Sequence, residues 1–312
     1  MLILRYVDDS GRPALGIERG GYLTPLSPSL SLGQLLRLPV DDIRAVCESR
    51  SDRDVPLADV RLLPPVDSRM EVWAAGVTYR RSREARVQES DGAADVYQLV
   101  YDAERPELFF KSVAWRVTGH GEQVSVRRDS EINVPEPELA VVLNALGETV
   151  GYTICNDVSS RSIEGANPLY LPQAKMYLGS CAVGPGIRPA WEVADPYALE
   201  MRMTIERNDS VVWDGQTTTA ELHRNLDDLA AYLQREEAFP DGVVLSTGTS
   251  LVPDLPFTLH DGDVVIIEID EVGALRSQVT EGKPSMAWLA DAVDDSARRP
   301  PAPSNPLARP KP

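Results

Sequence analysis

The sequence predicts a mostly β fold of the α+β type, in which short strands outnumber helices. Several stretches are rich in β-branched residues, as strands usually are. Turn pairs such as Asn208-Asp209 and Gly147-Glu148 separate some of these stretches and favour hairpins. One long stretch has a clear helical periodicity. We therefore expect the 312-residue chain to be built mainly on sheets.

Residues 1–65 are expected to form a small α+β module. The segments "MLILRYV" and "ALGIERGGYLTPL" predict short strands around Gly and Pro turns, and "VDDIRAVCES" predicts a helix. In "RLLPPVDS" the Pro-Pro pair disfavours a helix, so this segment is interpreted as a connector. The module is therefore predicted to end near residue 65.

Residues 66–290 are expected to form the main domain. Its predicted strands lie in "EVWAAGVTY", "ELFFKSV", "ELAVVLNALGETVGYTICNDV", "LEMRMTIERNDSVVWDG", "VVLSTGT" and "DVVIIEIDEVGALRSQV". Residues 291–312 are rich in proline and lack apolar periodicity, which predicts a disordered tail.

One amphipathic helix is predicted within the main domain, in "ELHRNLDDLAAYLQREE". Leu222, Leu226, Leu229 and Leu233 are spaced 4, 3 and 4 residues apart and form one apolar stripe. His223 lies beside this stripe, and we expect it to be an exposed helical residue and not a catalytic one.

The net charge of −17 argues against nucleic acid or an anionic membrane surface as a partner. A small anionic substrate remains compatible, because a local cation reverses the field inside a pocket. No apolar run approaches the roughly 20 residues of a membrane span. The N-terminus lacks the pattern of a signal peptide, so we expect a cytoplasmic protein. Cys47, Cys155 and Cys181 form no CxxC pair, which argues against a disulfide framework or a structural zinc site.

The segment "NVPEPELAVVLN" places two acids at the start of an apolar strand. Residues two apart on a strand share a face, so Glu136 and Glu138 are expected to point the same way. Like charges on one face repel unless a cation neutralises them or one takes up a proton. A hairpin back through "NALGET" would bring Asp157 near them. Three such carboxylates suit Mg²⁺, Mn²⁺ or Ca²⁺; the alternative is a strand edge with solvated acids.

A long irregular segment follows Asp157. The stretch "NDVSSRSIEGANPLYLPQAKMYLGSCAVGP" has little periodicity and contains Arg161, Glu164, Lys175 and Tyr177 between two strand signals. Long irregular segments inside compact domains are usually functional. This segment therefore favours a site around the acids over a solvated edge.

Six motifs in order resemble the core of the fumarylacetoacetate hydrolase superfamily: "EPELAVVLN", "VGYTICNDVSSR", "QAK", "AVGPGI", "STGT" and "LHDGDVVIIEIDEVGAL". The resemblance covers roughly residues 71 to 280. It implies a mixed β-sandwich roll that binds Mg²⁺ or Mn²⁺ through Glu136, Glu138 and Asp157. It also implies a homodimer or homotetramer, and a substrate site lined by Arg161, Glu164, Lys175 and Thr249.

The segment "AAGVTYRRSREARVQES" bears on the reaction. It resembles a catalytic segment that, in the small hydrolases and decarboxylases of the superfamily, reads Gly-Leu-Asn-Tyr, then His, then Glu three residues later. Gly76 and Tyr79 match this pattern, but Ser82 replaces the His and Ala85 replaces the Glu. Serine cannot act as the general base that activates water near neutral pH. This favours a reaction other than hydrolysis, although Glu84 is close in sequence and could take the role.

The segments "GVTYRRSREAR" and "SSRSIEGANPLYLPQAKMY" resemble specifically the 2-keto-3-deoxy-pentonate dehydratases of this superfamily. The resemblance implies conversion of 2-dehydro-3-deoxy-D-arabinonate, equivalently D-xylonate, to 2,5-dioxopentanoate. In such a reaction the 2-keto acid chelates a divalent ion, which polarises the ketone. A base removes a C3 proton, the C4 hydroxyl leaves as water, and tautomerisation gives the aldehyde. No redox cofactor is needed.

Each candidate residue has a predicted role and an alternative. Lys175 is expected to neutralise the carboxylate or enolate, or to exchange protons, rather than to lie on the surface. Glu164 is a candidate acid or base, or the partner in a structural hydrogen bond. Arg161 is expected either to orient a metal carboxylate or to contact substrate.

The remaining candidates are substrate contacts. Ser82 and Thr249 are suited to hydrogen bonding with substrate oxygens, although Thr249 could simply shape its turn. Lys111 follows a strand signal and could face the pocket or lie at an exposed strand end.

Two other functions remain open at this stage. One is hydrolysis or decarboxylation of an acylpyruvate- or oxaloacetate-type 2-keto acid, which Ser82 and Ala85 disfavour. The other is an idle binding or scaffold protein that kept the fold. The clustered acids and Lys175 argue against the scaffold, which has no need of them.

Overall fold

A computed structural model describes residues 1–49, 54–81, 94–292 and 299–300, with the backbone alone for residues 94–97. The N-terminal strands are β1 (Leu2–Val7), β2 (Pro13–Arg19), β3 (Tyr22–Pro25), β4 (Val55–Pro56) and β5 (Arg61–Leu63). Two helices lie among them, α1 (Leu32–Leu35) and α2 (Val40–Glu48). A capping box of Ser31 and Gln34 starts α1. The strands and the helix predicted in this region are confirmed.

The rest of the described chain contributes thirteen strands and five helices. The strands are β6 (Glu71–Gly76), β7 (Glu107–Val113), β8 (Gln123–Val126), β9 (Asn133–Val134), β10 (Pro137–Leu143), β11 (Thr149–Asp157), β12 (Ser159–Ser160), β13 (Cys181–Pro189), β14 (Glu200–Arg207), β15 (Ser210–Thr218), β16 (Val243–Ser246), β17 (Val264–Ile269) and β18 (Gly273–Glu281). The helices are α3 (Ala94–Asp102), α4 (Arg161–Ala166), α5 (Leu171–Lys175), α6 (Leu226–Leu233) and α7 (Trp288–Asp291).

Most strands belong to two large sheets. The first has 11 strands in the order β4-β3-β2-β1-β13-β11-β10-β16-β6-β7, with β5 paired to β1. Ile3 of β1 lies opposite Ile187 of β13, so the N-terminal strands continue the sheet of the main domain. The second has 5 strands in the order β15-β14-β17-β18-β8, and a separate ribbon pairs β12 with β9.

Side chains of both large sheets meet in one hydrophobic cluster. Val141 and Ile154 of the first sheet belong to it together with Met203 and Ile267 of the second. Every residue of β10 is buried, as expected for a strand in the middle of a covered sheet. The predicted mostly β fold with few helices is confirmed. The division at residue 65 stays a prediction.

The amphipathic helix is shorter than predicted. Asn225 ends the preceding loop and caps α6 by accepting hydrogen bonds from the backbone N–H groups of Asp227 and Asp228. Leu222 and His223 therefore lie before the helix, and the prediction that they are helical is wrong. The His223 ring stacks on Tyr101 with 4.3 Å between ring centroids. Among the described residues, no helix has the length and apolarity needed to cross a membrane. Most of the predicted tail lies outside the described residues.

Asp241 joins the N-terminal region to the main domain. Its carboxylate is 1% exposed and accepts hydrogen bonds from Arg37 Nε at 2.8 Å and Arg69 Nε at 2.9 Å. The Arg69 and Arg37 guanidinium groups hold the pKa of Asp241 well below its usual range, against the opposing effect of burial. The two arginines lie on either side of the connector between the regions.

We expect Asp241→Asn to lower the free energy of unfolding by about 2 kcal/mol at pH 7, since it weakens charge-assisted hydrogen bonds. The folded-state pKa is depressed, so this contribution is present above the unfolded pKa of about 3.9 and is lost at lower pH. Urea unfolding at pH 7 measures the difference, with exposed Asp9→Asn as the control. Equal stability of the two variants would contradict the prediction.

His120 is a buried histidine in the turn before β8. It is 4% exposed, and its Nδ1 lies 2.9 Å from the Ala274 carbonyl oxygen. Burial lowers the pKa of His120 to about 4, and nearby Arg276 contributes in the same direction. The unfolded chain, with a histidine pKa of about 6.5, therefore binds the proton more readily than the folded chain.

We expect the free energy of unfolding to fall by about 2 kcal/mol between pH 7 and pH 5 because of His120. The sign follows from the lowered folded-state pKa, since the unfolded state binds more protons over this range. In His120→Asn, which keeps a donor for the Ala274 carbonyl, this part of the pH dependence should disappear. Urea unfolding of both proteins at the two pH values provides the comparison; an unchanged pH dependence in the variant would refute the assignment.

Candidate metal centre and active site

The hairpin of β10 and β11 brings three carboxylates together. Glu138 lies opposite Cys155 across the hairpin, and the Asp157 backbone N–H donates to the Glu136 carbonyl at 2.9 Å. One carboxylate oxygen from each of Glu136, Glu138 and Asp157 lies within 4.8 Å of the others. The three residues are 3%, 2% and 1% exposed, respectively. This burial argues against the alternative of a solvated strand edge. We refer to the three residues below as the acid triad.

Strand β16 and the turn after it orient Glu138. The Ser246 hydroxyl donates to Glu138 Oε2 at 2.5 Å, and the Gly248 backbone N–H donates to the same oxygen at 2.8 Å. Gly248 has φ +91°, which disfavours other residues, and a Cβ there would lie 2.0 Å from Thr78 Oγ1. The glycine of the "STGT" motif therefore lets this turn pack against Thr78 in the conformation in which its N–H donates to Glu138.

The electrostatics of the acid triad favour a bound cation. Desolvation, followed by the charges of Asp157, Cys155 and Glu136, raises the pKa of Glu138 well above its ordinary value, and the Ser246 hydrogen bond only partly opposes this. The three side chains offer only oxygen ligands, which suit a hard divalent cation such as Mg²⁺ or Mn²⁺. The donor set and the electrostatics therefore both fit a metal ion.

Lys175, the last residue of α5, lies against two members of the acid triad. Its Nζ donates to Glu136 Oε2 at 2.9 Å and to Asp157 Oδ2 at 3.0 Å. The Ser159 hydroxyl accepts a third hydrogen bond from it at 2.6 Å. The side chain is 3% exposed, so the alternative of a surface lysine does not hold. Lys175 also lines the cavity and can act on a molecule bound beside the triad.

Lys111 lies behind Asp157. Its fully buried ammonium pairs with Asp157 Oδ1 and donates to the carbonyl oxygens of Lys175 at 2.5 Å and Val158 at 3.2 Å. It is not among the described residues that line the cavity. The exposed strand end considered from the sequence does not apply. These contacts favour a positioning role over the predicted substrate contact.

Helix α4 supplies Arg161 and Glu164. The Ser160 side chain caps the helix, and Arg161 is its first residue. Arg161 Nη2 lies 3.1 Å from Glu136 Oε1, and Arg161 Nη1 lies 3.9 Å from Glu164 Oε2. Both residues are buried and line the cavity. Arg161 can therefore orient Glu136 and still contact a bound molecule.

The cavity beside the acid triad has a volume of about 20 Å³, close to that of one ion or water. Its described lining combines the triad, Arg161, Glu164, Lys175 and Thr249 with residues of β6, β7 and α5, with Val77 after β6 and with Gly248 after β16. Thr249 is 4% exposed, and its hydroxyl accepts from the Leu251 backbone N–H at 3.1 Å. Ser82, together with Glu84 and Ala85, lies outside the described residues.

Two parts of this site were missed by sequence reasoning. Glu107, the first residue of β7, also lines the cavity, as does Phe109 two positions later. Their alternation along a strand could have indicated a shared face. Ser246 and Gly248 donate hydrogen bonds to Glu138 although they lie 108 and 110 residues away in the chain. No local sequence pattern predicts such partners.

Comparison with known families identifies the chain. The family model described as fumarylacetoacetate (FAA) hydrolase C-terminal matches residues 71–280, a range that contains the acid triad and Lys175. The chain belongs to the fumarylacetoacetate hydrolase family. The predicted superfamily resemblance is confirmed over the same residues.

Two family relatives are described as dehydratases. The chain is 49% identical over 252 residues to a probable 2-keto-3-deoxyxylonate dehydratase of Haloferax volcanii, covering 80% of this chain and 86% of that protein. It is 38% identical over 283 residues to a 2-dehydro-3-deoxy-D-arabinonate dehydratase of Saccharolobus solfataricus, covering 84% of this chain and 94% of that protein.

A solved family structure agrees with these relatives. It is described as 2-keto-3-deoxy-D-arabinonate dehydratase complexed with magnesium and 2,5-dioxopentanoate. Its TM-score with this chain is 0.78 at 35% identity, and the alignment covers 91% of this chain and 100% of that one. The fold of the described residues is therefore that of a fumarylacetoacetate hydrolase family member.

Proposed function

We propose that this protein is a hydro-lyase that dehydrates a 2-keto-3-deoxy-pentonate to 2,5-dioxopentanoate with Mg²⁺ or Mn²⁺. The observation that carries the proposal is the buried acid triad in direct contact with Lys175. This arrangement occurs in a chain that is 49% and 38% identical to two dehydratases over most of its length.

The acid triad would hold the divalent ion. Glu138 is fixed in place by Ser246 and Gly248, while Arg161 and Lys111 orient Glu136 and Asp157, respectively. When bound, the ion would act as a Lewis acid toward the 2-keto group of the substrate.

The cavity residues would transfer the protons. Loss of a C3 proton gives an enolate, and the C4 hydroxyl then leaves as water after accepting a proton. Lys175 is placed to stabilise negative charge on the substrate or to exchange a proton with it. Two further carboxyl groups, those of Glu107 and Glu164, line the cavity and are available as proton donors or acceptors. Loss of water leaves a C3–C4 double bond beside the restored ketone and the C5 alcohol. Removal of a C5 proton and addition of a proton at C3 give a C4–C5 enol, which tautomerises to the aldehyde.

Polar contacts would then orient the substrate. Thr249 lines the cavity and can donate a hydrogen bond to a carboxylate or hydroxyl of the substrate. Ser82 would add a hydrogen bond to a substrate oxygen. Since serine is a poor base for activating water, Ser82 also supports loss of water over hydrolysis.

A direct assay tests this function. Purified protein with Mg²⁺ is expected to convert 2-keto-3-deoxy-pentonate to a semialdehyde that a coupled dehydrogenase detects. Chelation of the metal should stop the reaction, and adding back Mg²⁺ or Mn²⁺ should restore it. Acetylpyruvate and oxaloacetate serve as competing substrates. Turnover of either of these without turnover of the pentonate would replace the dehydratase assignment with the hydrolase or decarboxylase alternative.

We further propose a cytoplasmic enzyme that assembles as a homodimer or homotetramer and has no nucleic-acid partner. The small α+β module of residues 1–65 belongs to the same proposal. Light scattering of the purified protein measures the assembly. A monomer at working concentration would refute the oligomer.

A further inference from the structure

The ends of β6 and β7 place a glycine directly under a cavity carboxyl group. Gly76 and Glu107 are opposite each other in the antiparallel pair, and both line the cavity. A Cβ built on Gly76 would lie 2.0 Å from Glu107 Oε2, 2.6 Å from Cδ and 3.3 Å from Cγ. The Glu107 carboxyl group therefore occupies the space that any side chain at position 76 would need.

The backbone after Gly76 is held in an unfavourable conformation. Val77 has φ +52°, a region that β-branched residues rarely adopt. The next residue is fixed on both sides, because the Thr78 hydroxyl donates to the Thr247 carbonyl at 2.6 Å and the His223 N–H donates to the Thr78 carbonyl at 2.9 Å. Such conformations persist where the surrounding structure imposes them, and they are frequent at functional sites.

The same contacts connect this segment to the acid triad. Thr78 packs against Gly248, whose backbone N–H holds Glu138. These contacts fix the position of the segment after Gly76 relative to Glu138 of the acid triad. The Glu107 carboxyl group lies over Gly76 and lines the same cavity as the acid triad.

We propose that Gly76 is a positioning residue for the reaction, because its lack of a side chain admits the Glu107 carboxyl group to the cavity. The proposal deepens the proposed dehydratase function and depends on it. A methyl group at position 76 would displace the carboxyl group of Glu107. It should leave the fold intact, since Gly76 lies in a strand without a left-handed φ and the contact is with the end of a flexible side chain.

A double-mutant cycle tests this proposal. We expect Gly76→Ala to lower kcat about 100-fold, the loss typical of a group displaced by about an ångström. KM for the pentonate and the Mg²⁺ affinity measured by calorimetry should stay close to wild type. In the Glu107→Ala background, addition of Gly76→Ala should cause no further loss, because the displaced group is already absent.

The outcomes separate this proposal from the proposed function. Turnover by the wild-type enzyme tests the function, whereas the non-additivity of the two substitutions tests Gly76. Full kcat in Gly76→Ala would overturn the positioning role. So would an equal loss from Gly76→Ala in both backgrounds, which would show that Gly76 acts independently of Glu107. Loss of Mg²⁺ binding in Gly76→Ala would also overturn it, since the substitution would then act through the acid triad.

Discussion

Calorimetry of Glu138→Ala is expected to show no Mg²⁺ binding, and dehydration should fall by about three orders of magnitude or more. Glu138 is 2% exposed and supplies one of the three clustered carboxylates. Its removal leaves Glu136 and Asp157, which are already paired with Lys175, as the only triad oxygens for the ion. The substitution therefore tests both the metal centre and its role in the reaction.

Glu138→Gln separates metal binding from folding. The amide oxygen can still accept the hydrogen bonds from Ser246 and Gly248, while the negative charge is removed. Because burial and neighbouring acids disfavour the charged form, we expect the stability of this variant without metal to be at least that of wild type. Its Mg²⁺ binding should nevertheless be lost.

Two controls complete this experiment. Exposed Glu131→Ala should leave Mg²⁺ binding unchanged. Ser246→Ala removes only the hydroxyl that orients Glu138, and it should weaken binding about 10- to 100-fold. A wild-type isotherm in Glu138→Ala would remove the acid triad as the metal site.

Lys175→Met is expected to lower kcat about 100- to 10,000-fold without weakening Mg²⁺ binding. The loss of rate follows from removing the cation that faces the bound substrate. Binding of Mg²⁺ should be equal or tighter, because the ammonium otherwise lies 2.9 Å from Glu136 and 3.0 Å from Asp157 and competes for their charge. A lower kcat together with equal or tighter Mg²⁺ binding would distinguish a role in the reaction from a role in holding the metal ligands, which would weaken Mg²⁺ binding.

Exposed Lys283→Met is the matched control for the loss of a lysine charge and should change neither quantity. Retention of wild-type kcat in Lys175→Met would exclude Lys175 from the reaction. A loss of Mg²⁺ binding equal to that of Glu138→Ala would instead assign Lys175 to holding the triad together.

The strands and the grouping of the three acids follow from local patterns. Glu136 and Glu138 share a face because strand side chains alternate, and Asp157 meets them because a short turn near Gly147 folds β11 back onto β10. These relations involve neighbouring segments, so residue spacing is enough to predict them. Local patterns did not predict where helix α6 begins. The leucine stripe starts at Leu222, but Asn225 caps the helix, so the helix begins only at Leu226.

Relations between distant segments were not predictable in this way. Lys111 was expected to face substrate, but the placement of β7 directs it to Asp157 and to backbone carbonyls near the end of α5. Glu107 was not predicted, although it lies on the same strand. Which face of a strand borders a cavity depends on strands that lie far away in sequence.

By itself, the sequence determined the predominance of strands, the two acids on one face and the family to which the chain belongs. Only the tertiary structure showed that Lys175, Ser246 and the backbone of Gly248 contact those acids. It also placed Arg161, for which the sequence left two roles open, against Glu136. The physical reason is that buried charge is stabilised over a few ångströms, whatever the separation along the chain. Spacing can therefore predict a cluster of acids, but only packing shows what makes that cluster stable and reactive.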